Sequence, residues 1–168
     1  MKVSKAPEVL QPRYREGIFS AVSAGFVFLL AGMMFVAVPN LFEKILAFFQ
    51  DFDVVNVPNT NIFIPAPTHP SRHLVFYSAV IQFSLILGLF EIAILVLRFF
   101  VRSPLSKKAE TASNVVFWLG ASYLINTFLN EMATATTWFV FWSTILMLIG
   151  FSLIVRAIIL ATIKMKLS

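Results

Sequence analysis

The sequence predicts an all-α integral membrane protein, a four-helix bundle of up-down-up-down topology, on three observations. First, 59% of the chain is hydrophobic and only 12% charged, against about half and about a quarter in an ordinary soluble domain. Second, it carries 19 phenylalanines, more bulky apolar side chain than one small water-soluble core can hide. Third, the apolar residues gather into four long runs, each close to the roughly 20 residues that a helix needs to cross a hydrocarbon core. A single transmembrane domain over residues 1–168 accommodates all four.

The first span, 17–38, has no charge. A basic segment precedes it, as in a signal peptide, but the run exceeds the usual hydrophobic region of about 7 to 15 residues, so it is expected to stay as an anchor. Along it Gly17, Ala21 and Gly25 form a small-xxx-small ladder of the kind that lets another helix approach closely. Pro39 ends this span. Asn40, with Glu43 three positions on, resembles an N-cap for a new helix over 41–52. There Leu41, Ile45, Phe48 and Phe52 recur at helical spacing, with Glu43, Lys44 and Gln50 mostly elsewhere, which predicts a short amphipathic helix lying in the membrane interface.

The segment 53–73 is the one long connection, and it holds Pro58, Pro65, Pro67, Pro70 and both histidines. Its prolines exclude a central strand and allow an edge strand or a polyproline-like strap, stiffened and folded over the mouth of the bundle. The second span, 74–97, is interrupted by Glu91, which shares a helix face with Ser84, Gly88 and Arg98. Ser103 as N-cap and Pro104 at the first helical position then open the helix that contains the third span, 112–129. This is the most polar of the four, with Ser122, Asn126 and Asn130 forming a stripe at intervals of four. The fourth span, 138–163, contains Arg156. The turns on either side of the third span are short, which implies antiparallel neighbours.

Orientation follows from lysine and arginine. Lys2, Lys5, Arg13, Arg15, Arg98, Arg102, Lys107, Lys108, Lys164 and Lys166 fall on one face, and only Lys44 and Arg72 on the other. The expectation is a multi-pass protein of the cell membrane with both termini cytoplasmic. Tyr14, Trp118, Trp138 and Trp142 are candidate interface anchors. Although the net charge is +5, the basic residues flank apolar runs and form no aromatic-interleaved patch, so nucleic acid is not an expected partner.

Three sets of residues could carry function. Glu91 and Arg156 lie at similar depths, roughly 10 to 12 Å inside the cytoplasmic boundary at about 1.5 Å per residue, and could pair within the bundle. Such a pair fixes helix register, or else the carboxylate takes up and releases a proton or cation. Ser122, Asn126 and Asn130 either glue helices together or line a wet path. His69 and His73, four apart, with Asp51 and Asp53 nearby in sequence, offer nitrogen and oxygen donors of the kind that zinc, copper or non-haem iron accepts; the alternative is that the histidines only cap and hydrogen-bond the loop.

Cysteine is absent, which removes thiolate metal sites and cysteine nucleophiles. Motifs of zinc peptidases, serine hydrolases and phosphate-binding loops are also missing. The expected function is therefore a small membrane protein without catalysis and without a cofactor, acting as a packing or accessory subunit of a membrane complex. Its expected partners are the lipid bilayer and either other membrane subunits or copies of itself. One alternative is an oligomeric ion channel or ion-conducting subunit using Glu91; a second is a metal site in the outer loop.

Overall fold

The computed structural model describes residues 12–164, with side chains from 16 to 162. Lys2, Lys5 and Lys166 lie outside the described residues, as do the side chains of Arg13, Tyr14, Arg15 and Lys164. The chain is mostly helical. Its elements in order are α1 (Pro12–Ala37), α2 (Leu41–Gln50), β1 (Phe52–Asn56), β2 (Phe63–Pro67), a 3-10 turn at Pro70–His73, α3 (Leu74–Phe100), α4 (Leu105–Phe128) and α5 (Ala135–Lys164). Among the described residues three stretches are long and apolar enough to cross a membrane: Glu16–Ala37, Pro70–Phe100 and Ala135–Thr162. The region of the expected third span is helical in α4, yet its serines, threonines, asparagines and charges leave it outside that group.

α4 is the centre of the molecule. α3 packs along one side of it and α5 along the other, whereas α1 touches α3 and α2. Glycine permits the tightest of these approaches. A Cβ on Gly88 of α3 would come 2.5 Å from a methyl of Leu119, and one on Gly120 of α4 would come 2.5 Å from a methyl of Leu148 on α5. Hydroxyl groups bind the same two interfaces, since Ser122 donates to the Ile81 carbonyl of α3 and Ser113 to the Ser152 carbonyl of α5.

α3 ends in a Schellman arrangement: Ser103 N–H donates to the Arg98 carbonyl and Arg102 N–H to that of Phe99, with Arg102 left-handed at φ 54°. Two expected caps do not form. Asn40 is left-handed and makes no side-chain cap, and Ser103 leaves the start of α4 to Pro104, whose carbonyl accepts from Lys107 and Lys108. Each residue is occupied in turning the chain, so its side chain is not set against the first helical N–H groups.

The proline-rich segment is an antiparallel hairpin, with Phe52 opposite Pro67 and Asn56 opposite Phe63. Two strands have only edges, which is why prolines are tolerated. The tip turns at Val57–Thr60, where Thr60 N–H reaches the Val57 carbonyl. Pro58 and a left-handed Asn59 hold the two central positions, the pattern of a type II turn. Ala66 of β2 is fully buried and joins Phe48, Tyr77, Ile125, Trp138 and Phe141 in one apolar cluster, so five elements meet at this end of the molecule. Trp138 is part of that core and only 5% exposed; it is not the interface anchor expected of it.

Candidate functional site

Two polar clusters occupy opposite ends of the molecule. At the hairpin end, Asp51 follows the last residue of α2 and its carboxylate lies between two imidazoles. His69 donates from Nδ1 to Oδ1 at 2.9 Å, and His73 from Nε2 to Oδ2 at 3.0 Å. An ionised carboxylate only accepts, so the facing nitrogen of each ring carries the hydrogen. The His69 backbone N–H adds a third bond at 2.8 Å, and Thr68 donates twice to the Asp51 carbonyl. Burial works against the charge on Asp51, but the hydrogen bonds from His69 and His73 outweigh it and hold the carboxyl down to about 2. The 3-10 turn at Pro70–His73 brings the second imidazole into line, and Phe48 packs edge-on against its ring.

This latch gathers three of the four residues considered for a metal. Asp53 is apart from them: it is exposed and accepts from the neighbouring Val54 N–H. Among the described residues no group of three or more such side chains is arranged to hold a metal ion. The arrangement ties α2 to the start of α3 across the hairpin.

At the opposite end, Glu91 is 8% exposed and buried with Ser84, Gly88 and Arg98, the face expected of it. Its partner differs from expectation. Asn114 of α4 stands beside it as a polar neighbour, with Arg98 and Glu110 as its charged neighbours. Arg156 is exposed on α5 and enters no described ion pair. The physical reason is the order of the helices, because α4 stands between α3 and α5 and its Asn114 reaches Glu91 first. The ion pair that does cross helices joins Arg98 Nη1 to Glu16 Oε2 of α1 at 3.1 Å, with the guanidinium over the Phe19 ring.

The polar stripe divides by position. Ser122 is buried and binds α3, as helix glue does. Asn126 is exposed near the end of α4. Asn130 lies beyond that helix, where its side chain bonds the Thr127 carbonyl and the Met132 N–H and so shapes the turn to α5. Gly17 and Gly25 have nothing within 4 Å of an added Cβ, and Ala21 beside them is exposed. α1 meets its neighbours through a different face, on which Phe26 stacks with Phe90 at 3.8 Å and Leu30 and Met34 are buried.

Glu16 and Asn114 were not singled out from the sequence. Glu16 is an acid within a basic segment at the lip of an apolar run, a position where an arginine at the same depth is a natural partner. Asn114 carries no comparable signal. No family model, curated protein or solved structure matches this chain.

Proposed function

We propose that this is a four-span protein of the cell membrane, with both termini cytoplasmic, that performs no catalysis and acts as an accessory subunit by packing against other helices. The single observation behind the reading is the face of α1 bearing Gly17, Ala21 and Gly25, which leaves open space beside a helix backbone. Small residues along an apolar helix are of most use where a second helix closes on them. Within the described residues α1 keeps that face free.

Two features support a fourth crossing through α4. Its 24 residues rise about 36 Å at about 1.5 Å each, enough for the hydrocarbon core. It also lies between α3 and α5, which shield its polar side chains. It runs antiparallel to both, with Ser122 against Ile81 of α3 and Ser113 against Ser152 of α5, so it lies at the depth where those two helices would cross. The ion-conducting alternative draws less support, because Glu91 is closed between α3 and α4 while Asn126 and Asn130 lie toward the hairpin end.

The test is the mass of the complex after gentle extraction, by native mass spectrometry, for the native chain and for Gly17→Leu with Gly25→Leu. The expected result is a native assembly containing partner subunits or copies, lost in the variant while the monomer melts at an unchanged temperature. A native chain that is monomeric throughout would sink the proposal.

A further inference from the structure

At the hairpin end, a cavity of about 400 Å³ opens between α2 and the first turn of α3, lined among others by Lys44, Gln50, Asp51, Arg72 and His73. Lys44 and Arg72 are the two basic residues that the sequence assigns to the outer side. Both are exposed, and neither enters an ion pair among the described residues. The one carboxylate in the cavity, Asp51, already accepts from both imidazoles and from a backbone N–H. The cavity therefore presents two unspent cations and an amide. α3 begins there without a side-chain cap, so the positive end of its dipole adds to the same field.

An apolar groove of about 170 Å³ runs alongside, lined by Ile45, Met34, Ala79, Val80 and Phe83 among others, and Phe76 is a wall common to both spaces. The helix that flanks both is built for an interface. Around α2, Leu41 and Phe48 are buried against the bundle, while Phe42, Leu46 and Phe49 form a second, exposed apolar stripe. The remaining arc carries Glu43, Lys44, Gln50 and, just past the last turn, Asp51. A helix with two apolar faces and one polar arc sits with one face on the protein, one in acyl chains and the arc at headgroup level.

We propose that this pair of spaces binds an anionic phospholipid of the outer leaflet, its phosphate between Lys44 and Arg72 and an acyl chain along the Phe76 groove. Two separated cations beside an apolar channel fit one amphiphile better than a free anion, which would leave the groove unused. Gln50 supplies an amide to the polar headgroup, and the latch of His69, Asp51 and His73 holds α2 and α3 at the separation that the site needs. The inference rests on the membrane reading and stands whether or not the protein is an accessory subunit.

The experiment uses the full chain in neutral detergent and follows retention of phosphatidylglycerol, phosphatidylcholine and inorganic phosphate by native mass spectrometry, with thermal melting as the control for folding. The native chain is expected to retain phosphatidylglycerol in preference to phosphatidylcholine. Lys44→Gln or Arg72→Gln should each weaken it about fivefold, and the two together about twentyfold, the loss that follows when basic contacts to an anionic lipid are removed. Both side chains are exposed, so lipid-free melting should be unchanged. Ala31 of α1 also lines the groove, and Ala31→Leu, which narrows it, should weaken long-chain phosphatidylglycerol and spare a short-chain form. Equal retention of the two lipids, or of phosphatidylglycerol by native and doubly substituted chains, would overturn the proposal. So would binding of inorganic phosphate through Lys44 and Arg72 without lipid retention.

Discussion

α1 and α4 invert the relation between composition and burial that governs soluble proteins. From Gly17 onward α1 is uncharged and yet mostly exposed, with Phe28, Val36 and Met33 all standing away from the rest of the chain. α4 carries serines, threonines, two asparagines and charges, and packs on both sides, with Ala109, Thr111, Ser113, Ala121 and Ser122 buried. In lipid the apolar side chain has no reason to hide, whereas the polar one does. Burial in such a fold follows hydrogen-bonding need and close backbone fit. Gly88, Gly120, Ser113 and Ser122 mark the two faces on which α4 meets α3 and α5, whereas phenylalanine serves the contact of α1 with α3 and the cluster at the hairpin end.

The largest difference should appear when the same side chain is placed on both helices. Gly88→Val drives a branched side chain into Leu119, which should lower the stability of the α3 and α4 pair by about 1–3 kcal/mol. Gly32→Val on α1 meets open space and should leave the melting temperature of the monomer nearly unchanged. Thermal unfolding of the two variants in one detergent decides it; equal losses would mean that α1 is packed as tightly as α4.

α1 is held at both of its ends, and acid should loosen one of them. Near the hairpin, Met34 packs with Leu41 and Ala79, so the hold runs through α2 and therefore through the Asp51 latch. The carboxyl titrates at about 2 in the fold and at 3.8 in an ordinary setting. A depressed carboxyl contributes stability that is complete above the higher value and lost as the pH falls through the lower. The contribution is at most about 2 kcal/mol, should be intact above about pH 4, and should vanish toward pH 2. Melting across that window should show a loss that Asp51→Asn removes. A variant with the same acid profile as the native chain would mean that the latch does not hold α2.

The smallest effect should come from the hydroxyl glue. Ser113→Ala and Ser122→Ala each remove one bond between helices, worth about 0.6 kcal/mol in a membrane. Thr162→Ala, whose hydroxyl bonds only the Ile158 carbonyl of its own helix, should be silent by the same assay.

Much of the architecture was legible in the chain. Apolar runs, Pro39, Pro70 and the basic segments place α1, α3 and α5, although α1 begins at Pro12 and α5 at Ala135, ahead of the expected spans; α2 follows from Leu41, Ile45 and Phe48 but ends at Gln50, so that Phe52, expected on the same helix, opens β1 instead. The hairpin was legible only as a stiff, edge-like strap, because strand pairing is set by which residues face one another and the prolines masked the alternation. At the sites, the face of Ser84, Gly88, Glu91 and Arg98 could be read from helical periodicity. The partner of Glu91 could not, since depth in the membrane places residues along one axis and says nothing of which helix stands between. In the sequence Lys44 marks the polar side of α2 and, with Arg72, the outer face; the cavity that the two share required the fold.

The latch also bears on where the backbone can be cut. His69 and His73 clasp Asp51 at the base of the hairpin, so the exposed tip at Asn59 and Thr60 lies outside the closure. A chain nicked there would leave α1, α2 and β1 on one fragment and everything from β2 onward on the other, still joined by the strand pair, the imidazoles and the Phe48 cluster. The molecule is in this sense two complementary pieces with a built-in fastener, and the tip is the natural position for an inserted tag or an added domain.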